Sequence, residues 1–191
     1  MARTKEFDPQ RVLESAMGVF WRKGYEGTSA QDLCDATGLG RSSLYNAFDG
    51  KHDLFLRALK LYVQRFTQHN IELISGDGSI RERVGTLLWD VVEQERSSAS
   101  PGCFAVNSAM ERARTDPDVA AVVERDRAAV VDALHQALRT AQAEGEIAPD
   151  ADPLALARFL HSTIGSLRLL GRTPSGRAAM PDVVATTLAA L

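Results

Sequence analysis

No apolar run in the sequence approaches the ~18 residues of a membrane-spanning helix. The opening MARTKEFDPQ carries no apolar segment of the kind a secretory signal uses, so no membrane or export step is expected. Cysteine is nearly absent. Cys34 and Cys103 stand far apart, which argues against a disulfide framework and makes a reducing cytoplasm the expected compartment. There is no internal repeat and no low-complexity segment. His69, His135 and His161 show no i,i+4 pairing with one another or with cysteine, so neither a metal site nor a cofactor is expected. An excess of positive charge, the usual footprint of a nucleic-acid binder, is missing too: 22 Lys and Arg face 25 Asp and Glu, a net of −3. The deficit is uneven, since residues 1–60 hold nine basic against eight acidic residues and the remainder 13 against 17. Charge alone does not find the partner.

What is present is helical. At 191 residues, with 45% apolar and 25% charged side chains, the chain can bury one good core and a small satellite domain. The most informative stretch is Thr28–Phe48, TSAQDLCDATGLGRSSLYNAF. Thr28 and Gln31 have the spacing of a capping box that opens a helix. Ala30, Leu33, Cys34 and Thr37 recur at helical spacing, and Gly38 supplies the left-handed residue that ends the helix. After Gly38-Leu39-Gly40, a second short helix turns Leu44 and Phe48 inward and gathers Ser42, Ser43 and Asn46 on its outer face. Two short helices around a glycine turn, the second showing small polar side chains outward, describe a DNA-binding helix-turn-helix.

From about Asp8 to Leu56 these residues resemble the DNA-binding domain of the TetR family of bacterial one-component regulators. The resemblance rests on Ala16 and Phe20, on Gly24-Tyr25 and Thr28-Ser29, and on Gly38, Leu39, Leu44-Tyr45, Phe48, Lys51 and Leu54. Such a run is far more specific than a bare helix-turn-helix. Gly40 departs from the pattern, which has Ser or Ala there; as an N-cap, glycine costs only a few tenths of a kcal/mol relative to serine. The resemblance implies an all-α protein, with a three-helix helix-turn-helix domain over residues 1–49 and a helical-bundle regulatory and dimerisation domain over 50–191. It also implies that the helix after Gly50 links the two.

Ahead of this stretch, residues 1–7 read either as a solvated terminus or as an arm whose Arg3 and Lys5 reach a phosphate or the minor groove. Asp8-Pro9 starts a first helix with Leu13, Ala16, Met17 and Phe20 as its buried stripe and Gly24 as its end. Trp21 and Tyr25 close the small core. Further helices are predicted from Gly50 to about Ile74, from Ile80 to about Gln94, and through Cys103, Phe104, Asn107 and Met110. Asp116-Pro117 opens the longest, which runs to Gly145; Asp152-Pro153 opens the next, and Pro181 leads the last. The segment LALARFLHSTIGSLRLL is apolar on nearly every side, and Val184, Leu188 and Leu191 share a face. A helix apolar all round is buried on both sides, either inside a monomer or against a second copy. The family resemblance implies a homodimer through a four-helix interface.

The candidate DNA contacts follow from helix geometry. Ser42, Ser43 and Asn46 can read base edges, with Asn suited to adenine, and Arg41 can reach a guanine or a phosphate. Lys51 beside a helix start suits a phosphate, as do Thr28 and Ser29 across the groove. The resemblance adds a phosphate contact from Tyr45. A double-stranded operator is therefore one expected partner and a small-molecule effector the other, with Phe66, Trp89, Cys103, Phe104, Asn107 and Met110 as candidate pocket walls. The segment GCFAVNSAMERA also resembles a TetR subset that carries Gly-Cys and Val-Asn here. Pro101-Gly102 puts Cys103 in the first turn of its helix, so it is either a small buried hydrophobe or a reactive thiol. A cysteine-dependent enzyme would need His135 or His161 as base, and it would leave the helix-turn-helix without a purpose.

Overall fold

The computed structural model describes residues 8–96 and 101–191. The arm bearing Arg3 and Lys5 and the serines of the 97–100 stretch lie outside the described residues. Among those described, all regular structure is helical: α1 Pro9–Lys23, α2 Ala30–Thr37, α3 Arg41–Ala47, α4 Gly50–Ile74, α5 Ile80–Glu95, α6 Phe104–Arg112, α7 Pro117–Ala143, α8 Pro153–Leu170 and α9 Pro174–Ala189.

Side-chain caps fix most of the starts. Asp8, Asp116 and Asp152 accept from backbone N–H groups just past Pro9, Pro117 and Pro153, prolines placed where a missing N–H costs nothing. The capping box that opens α2 sits one residue later than expected, between Ser29 and Asp32. The Thr28 hydroxyl is unavailable because it donates to the Gly24 carbonyl at 2.6 Å, and the Gln31 amide turns to Asp35 at 2.7 Å. Asp32 is held down to a pKa of about 2 by the Lys23 ammonium, then by the Ser29 N–H and hydroxyl. A second correction concerns Pro181, which lies inside α9 rather than at its head. Thr173 caps that helix and Pro174 takes its first turn; Pro181 falls on the exposed face of α9.

Two apolar clusters organise the helices. The lower one joins Ala16 and Phe20 of α1, Leu33 of α2, Leu44 beside Phe48, and Leu54, Phe55, Leu59 and Tyr62 of α4. It also takes in Phe104 and Ala105 of α6 and Val119 and Val122 of α7. The helices α1 to α3 therefore share their core with the helices above them. In α1 the buried stripe is Val12, Ala16, Val19 and Phe20; Leu13 and Met17, expected inside, are half-buried at its edge. The upper cluster packs α5, α7, α8 and α9 around Leu87, Leu134, Leu160, Leu167 and Val184. The long helix α4 runs from the lower cluster to the upper one, where Ile74 ends it, and packs along α7, which in turn packs along α8.

Candidate DNA-binding surface and effector cavity

The helix-turn-helix forms for local reasons. Gly38 takes φ 70°, a left-handed conformation open to glycine without a Cβ penalty, and Gly40 starts α3 with no side-chain cap. Leu44 and Phe48 anchor α3 inward, so Arg41, Ser42, Ser43 and Asn46 are exposed together. Tyr45 is half-buried at the edge of that face, with the Arg41 guanidinium 5.9 Å from its ring centre. The Lys51 ammonium sits in the first turn of α4, 4.4 Å over the Tyr25 ring, a cation–π contact that holds it beside α3. Ser29 stays exposed with its hydroxyl in the capping box, whereas Thr28 is buried and turns its hydroxyl inward. Seven of the eight expected DNA contacts thus keep surface to offer, and Thr28 does not.

A strap that sequence reasoning missed ties this unit to α6 and α7. The Glu111 carboxylate, near the end of α6, accepts the backbone N–H groups of Tyr25 at 2.9 Å and Glu26 at 2.8 Å. Next to it, Arg112 bonds Glu26 at 2.5 Å and Asp116 at 3.2 Å, and His52 of α4 meets Asp116 at 2.8 Å. Burial acts to raise the Asp116 pKa, but hydrogen bonds from His52, the Val119 N–H and Arg112 together win and lower it. Partners some 85 residues apart leave no periodic trace in the sequence. His52, Asp116 and Asp118 bring ligand-type atoms within 4.8 Å of one another, but the Asp116 carboxylate is already engaged by Arg112 and by the cap of α7.

Above the strap, α4, α6, α7 and α8 enclose a cavity of about 220 Å³. Tyr62, Val63 and Phe66 form one wall, Val106, Ala109 and Met110 a second, and Val123, Val130 and Ile164 the rest. Of the six expected wall residues, Phe66, Cys103 and Met110 face this space. The other three do not. Phe104 lies beneath it in the lower core, edge-on to Phe55 and Tyr62. Asn107 looks outward, donating to the Pro101 carbonyl and accepting from Arg172, each at 2.9 Å. Trp89 stands on the outer face of α5, 47% exposed, beside Leu188. A 3.6-residue period says which residues share a face, but not which face meets the cavity.

Polar groups gather at one side. Asn70, Asp126 and His161 line the cavity, and no sequence signal singled them out as ligand residues. Burial pushes the Asp126 carboxyl up, against the Thr67 hydroxyl and His161, and burial pushes His161 down. Cys103 is the N-cap residue of α6 rather than part of its first turn, and its side chain makes no capping bond. Burial first, then the neighbouring Cys103, raises the Tyr62 pKa.

Comparison with known proteins gives these shapes a family. Residues 12–58 match the family of bacterial regulatory proteins named tetR, and residues 81–185 match the tetracyclin repressor-like C-terminal domain. The chain belongs to the TetR family. It is 35% identical over 193 residues to the HTH-type transcriptional regulator YezE of Bacillus subtilis (strain 168), with all of both chains covered. The HTH-type transcriptional repressor ComR of Escherichia coli (strain K12) is 32% identical, over 97% of this chain and 90% of that one. A cysteine-substituted form of the TetR regulator CifR, solved on a 26-base-pair operator duplex, superposes with a TM-score of 0.86 at 30% identity and 99% coverage of each chain. The chain is accordingly a transcriptional regulator that binds double-stranded DNA through its helix-turn-helix, and not an enzyme. No helix among the described residues is long and apolar enough to cross a membrane.

Proposed function

We propose that this TetR-family regulator is a cytoplasmic, homodimeric repressor that leaves its operator when a small molecule enters the cavity between α4, α6, α7 and α8. One observation carries the reading: α6 does two jobs at once. Its Val106, Ala109 and Met110 wall the cavity, while at its far end Glu111 accepts the Tyr25 and Glu26 backbone N–H groups and Arg112 pairs with the Glu26 carboxylate, all ahead of the helix-turn-helix. A ligand that displaces α6 displaces that grip, and the separation of two recognition helices changes with it. The functional boundary lies at Gly50, where α4 begins, with the DNA-binding unit before it.

In this reading Ser42, Ser43 and Asn46 meet base edges, while Arg41, Tyr45, Lys51 and Ser29 hold phosphates. The second copy docks on α8 and α9, where Phe159 and Leu169 leave large apolar side chains in the open, 47% and 60% exposed. The name of the relative ComR supports the repressor role. Selection of bound duplexes from a random library tests the reading, and two inverted half-sites about one helical turn or slightly more apart are expected. Enrichment of a single, non-repeated site would overturn it.

A second reading rests on Cys103, which sits with Gly102, Val106 and Asn107 in a segment that resembles a Gly-Cys and Val-Asn subset of the family. Cys103 lines the cavity beside Tyr62, where a molecule entering the space meets its side chain. Covalent capture of an electrophile there would push directly on the start of α6. Operator release by an alkylating agent in the wild type, abolished in Cys103→Ser, is the expected result.

A further inference from the structure

The cavity's charged groups do not balance, and the imbalance says what kind of molecule it takes. Arg168 reaches the space but is spoken for: its guanidinium holds Glu95 at 2.9 Å and Gln94 at 2.7 Å. Arg127 is likewise engaged, in an ion pair with Glu124 on the protein's surface. Asp126 has no such counter-charge. Its hydrogen bond comes from the Thr67 hydroxyl, which is neutral. His161 is its neighbour on the cavity wall but forms no ion pair with it among the described residues, and burial opposes the charge on both groups.

A second observation points the same way. The side-chain oxygen of Asn70 is buried and has no hydrogen-bond donor. Asn70 is three residues beyond Thr67 on α4, so its oxygen and the Asp126 carboxylate serve the same side of the cavity. An acceptor left without a donor in a low-dielectric space is costly, and a carboxylate left without a cation more so. Two acceptors, with no unengaged Lys or Arg among the described residues that line the cavity, call for a guest that brings donors and positive charge together. The rest of the wall is apolar, with the stacked rings of Tyr62 and Phe66, 4.2 Å apart, offering π-faces to a cation or flat surface to a hydrocarbon body.

We infer that the cavity binds a small lipophilic amine in its ammonium form, its nitrogen seated between Asp126 and the Asn70 oxygen and its apolar body against Tyr62, Phe66 and Val130. The inference rests on the effector reading above for its regulatory meaning, but not for binding itself. Three N–H donors satisfy both acceptors, and the positive charge restores the balance at Asp126. A neutral alcohol supplies one donor and no charge. A carboxylate supplies neither, and would face Asp126 across the same apolar space.

The test compares three probes of one shape on the full-length dimer: 2-phenylethylamine, 2-phenylethanol and 3-phenylpropionate. Binding is read by calorimetry and by the fluorescence of Trp21, whose ring stands 4.9 Å from Tyr62 and 6.2 Å from Phe66. The amine is expected to bind at least tenfold more tightly than the alcohol, and the carboxylate more weakly than either. Asp126→Asn should abolish the amine's advantage over the alcohol, with circular dichroism and unimpaired operator binding reporting that the variant is folded. Should that variant fail to fold, Asn70→Leu serves in its place, with a smaller loss for the amine alone. Equal binding of amine and alcohol by the wild type, or full amine affinity in Asp126→Asn, would overturn the inference. Operator release, followed separately by anisotropy, distinguishes the two claims. An amine bound through Asp126 that leaves the operator complex intact supports the ligand class and refutes the effector reading. Release by an alcohol that binds as tightly as the amine does the reverse.

Discussion

Truncating Glu95 to alanine should be among the most damaging single changes outside the apolar core. Glu95 and Arg168 form an ion pair between α5 and α8 at 2.9 Å, with side chains only 2% and 8% exposed. The Gly171 backbone packs so closely that a Cβ built there would fall 2.6 Å from the Glu95 Cβ, so the carboxylate has little room to move. Removing it leaves a buried guanidinium with the Gln94 oxygen at 2.7 Å as its remaining partner. Breaking a buried pair in this way costs about 3–5 kcal/mol, a large share of the ~5–15 kcal/mol that holds a typical domain together. The pair itself is worth much less, because both charges gave up water to form it. Glu95→Ala combined with Arg168→Leu should therefore recover most of the loss. Urea denaturation at fixed protein concentration measures both, since dimerisation makes apparent stability concentration-dependent. A single variant that loses under about 1 kcal/mol, or a double variant as unstable as the single, would refute the reasoning. A consequence for the cavity follows, because Arg168 lines it. In folded Glu95→Gln, the freed positive charge should weaken amine binding and admit 3-phenylpropionate.

On DNA, Lys51→Ala should weaken binding to all duplexes alike, while Asn46→Ala should cost about 1–3 kcal/mol and relax preference at one base position per half-site, as competition anisotropy would show. A shift of preference from Lys51→Ala and none from Asn46→Ala would reverse those roles. Leu169→Asp should yield monomers in sedimentation with weakened operator binding, because it puts a charge on an exposed apolar site. Leu167, by contrast, is fully buried in the protomer's own core, so a charge there should prevent folding rather than dimerisation. The Asp32 carboxyl should titrate near pH 2 by NMR. Its pKa is lowered on folding, so its contribution to stability is complete above about 4 and is lost as the pH falls toward 2. A midpoint near 4 would mean that the Lys23 and Ser29 contacts do not persist in solution.

What the sequence disclosed and what it hid divide along a physical line. The helix-turn-helix was legible because local chemistry specifies it: Gly38 must be left-handed, and Leu44 and Phe48 must face inward four residues apart. The ends of α4 and α8 were legible for the same reason, Asp152-Pro153 marking the start of α8 as clearly as any contact. Errors arose where two local solutions compete and tertiary contacts choose between them. Thr28 and Ser29 can both cap α2; Ser29 does so because the Thr28 hydroxyl finds the Gly24 carbonyl. Pro174 and Pro181 can both lead a helix, and Thr173 supplies a cap for the first.

The cavity was the least legible part, because it is defined by which faces of four helices meet. Phe104 and Asn107 lie within one turn of Cys103 and Val106, yet one sinks into the core and the other turns outward. Asn70, Asp126 and His161 come from three helices, and nothing about their spacing unites them. The same holds for Glu111 and the Tyr25 and Glu26 amides it accepts. The groups proposed to sense and to signal are thus the ones that only assembly brings together, whereas those proposed to read DNA lie within one short helix. That difference has a functional consequence. The α3 surface can change at Ser42, Ser43 or Asn46 without disturbing Asp126 or Glu111, because those exposed side chains share no contact with the cavity or the strap. Operator preference and ligand preference are therefore separable, and Asp126→Asn should alter what the protein senses while leaving unchanged the sequence it binds.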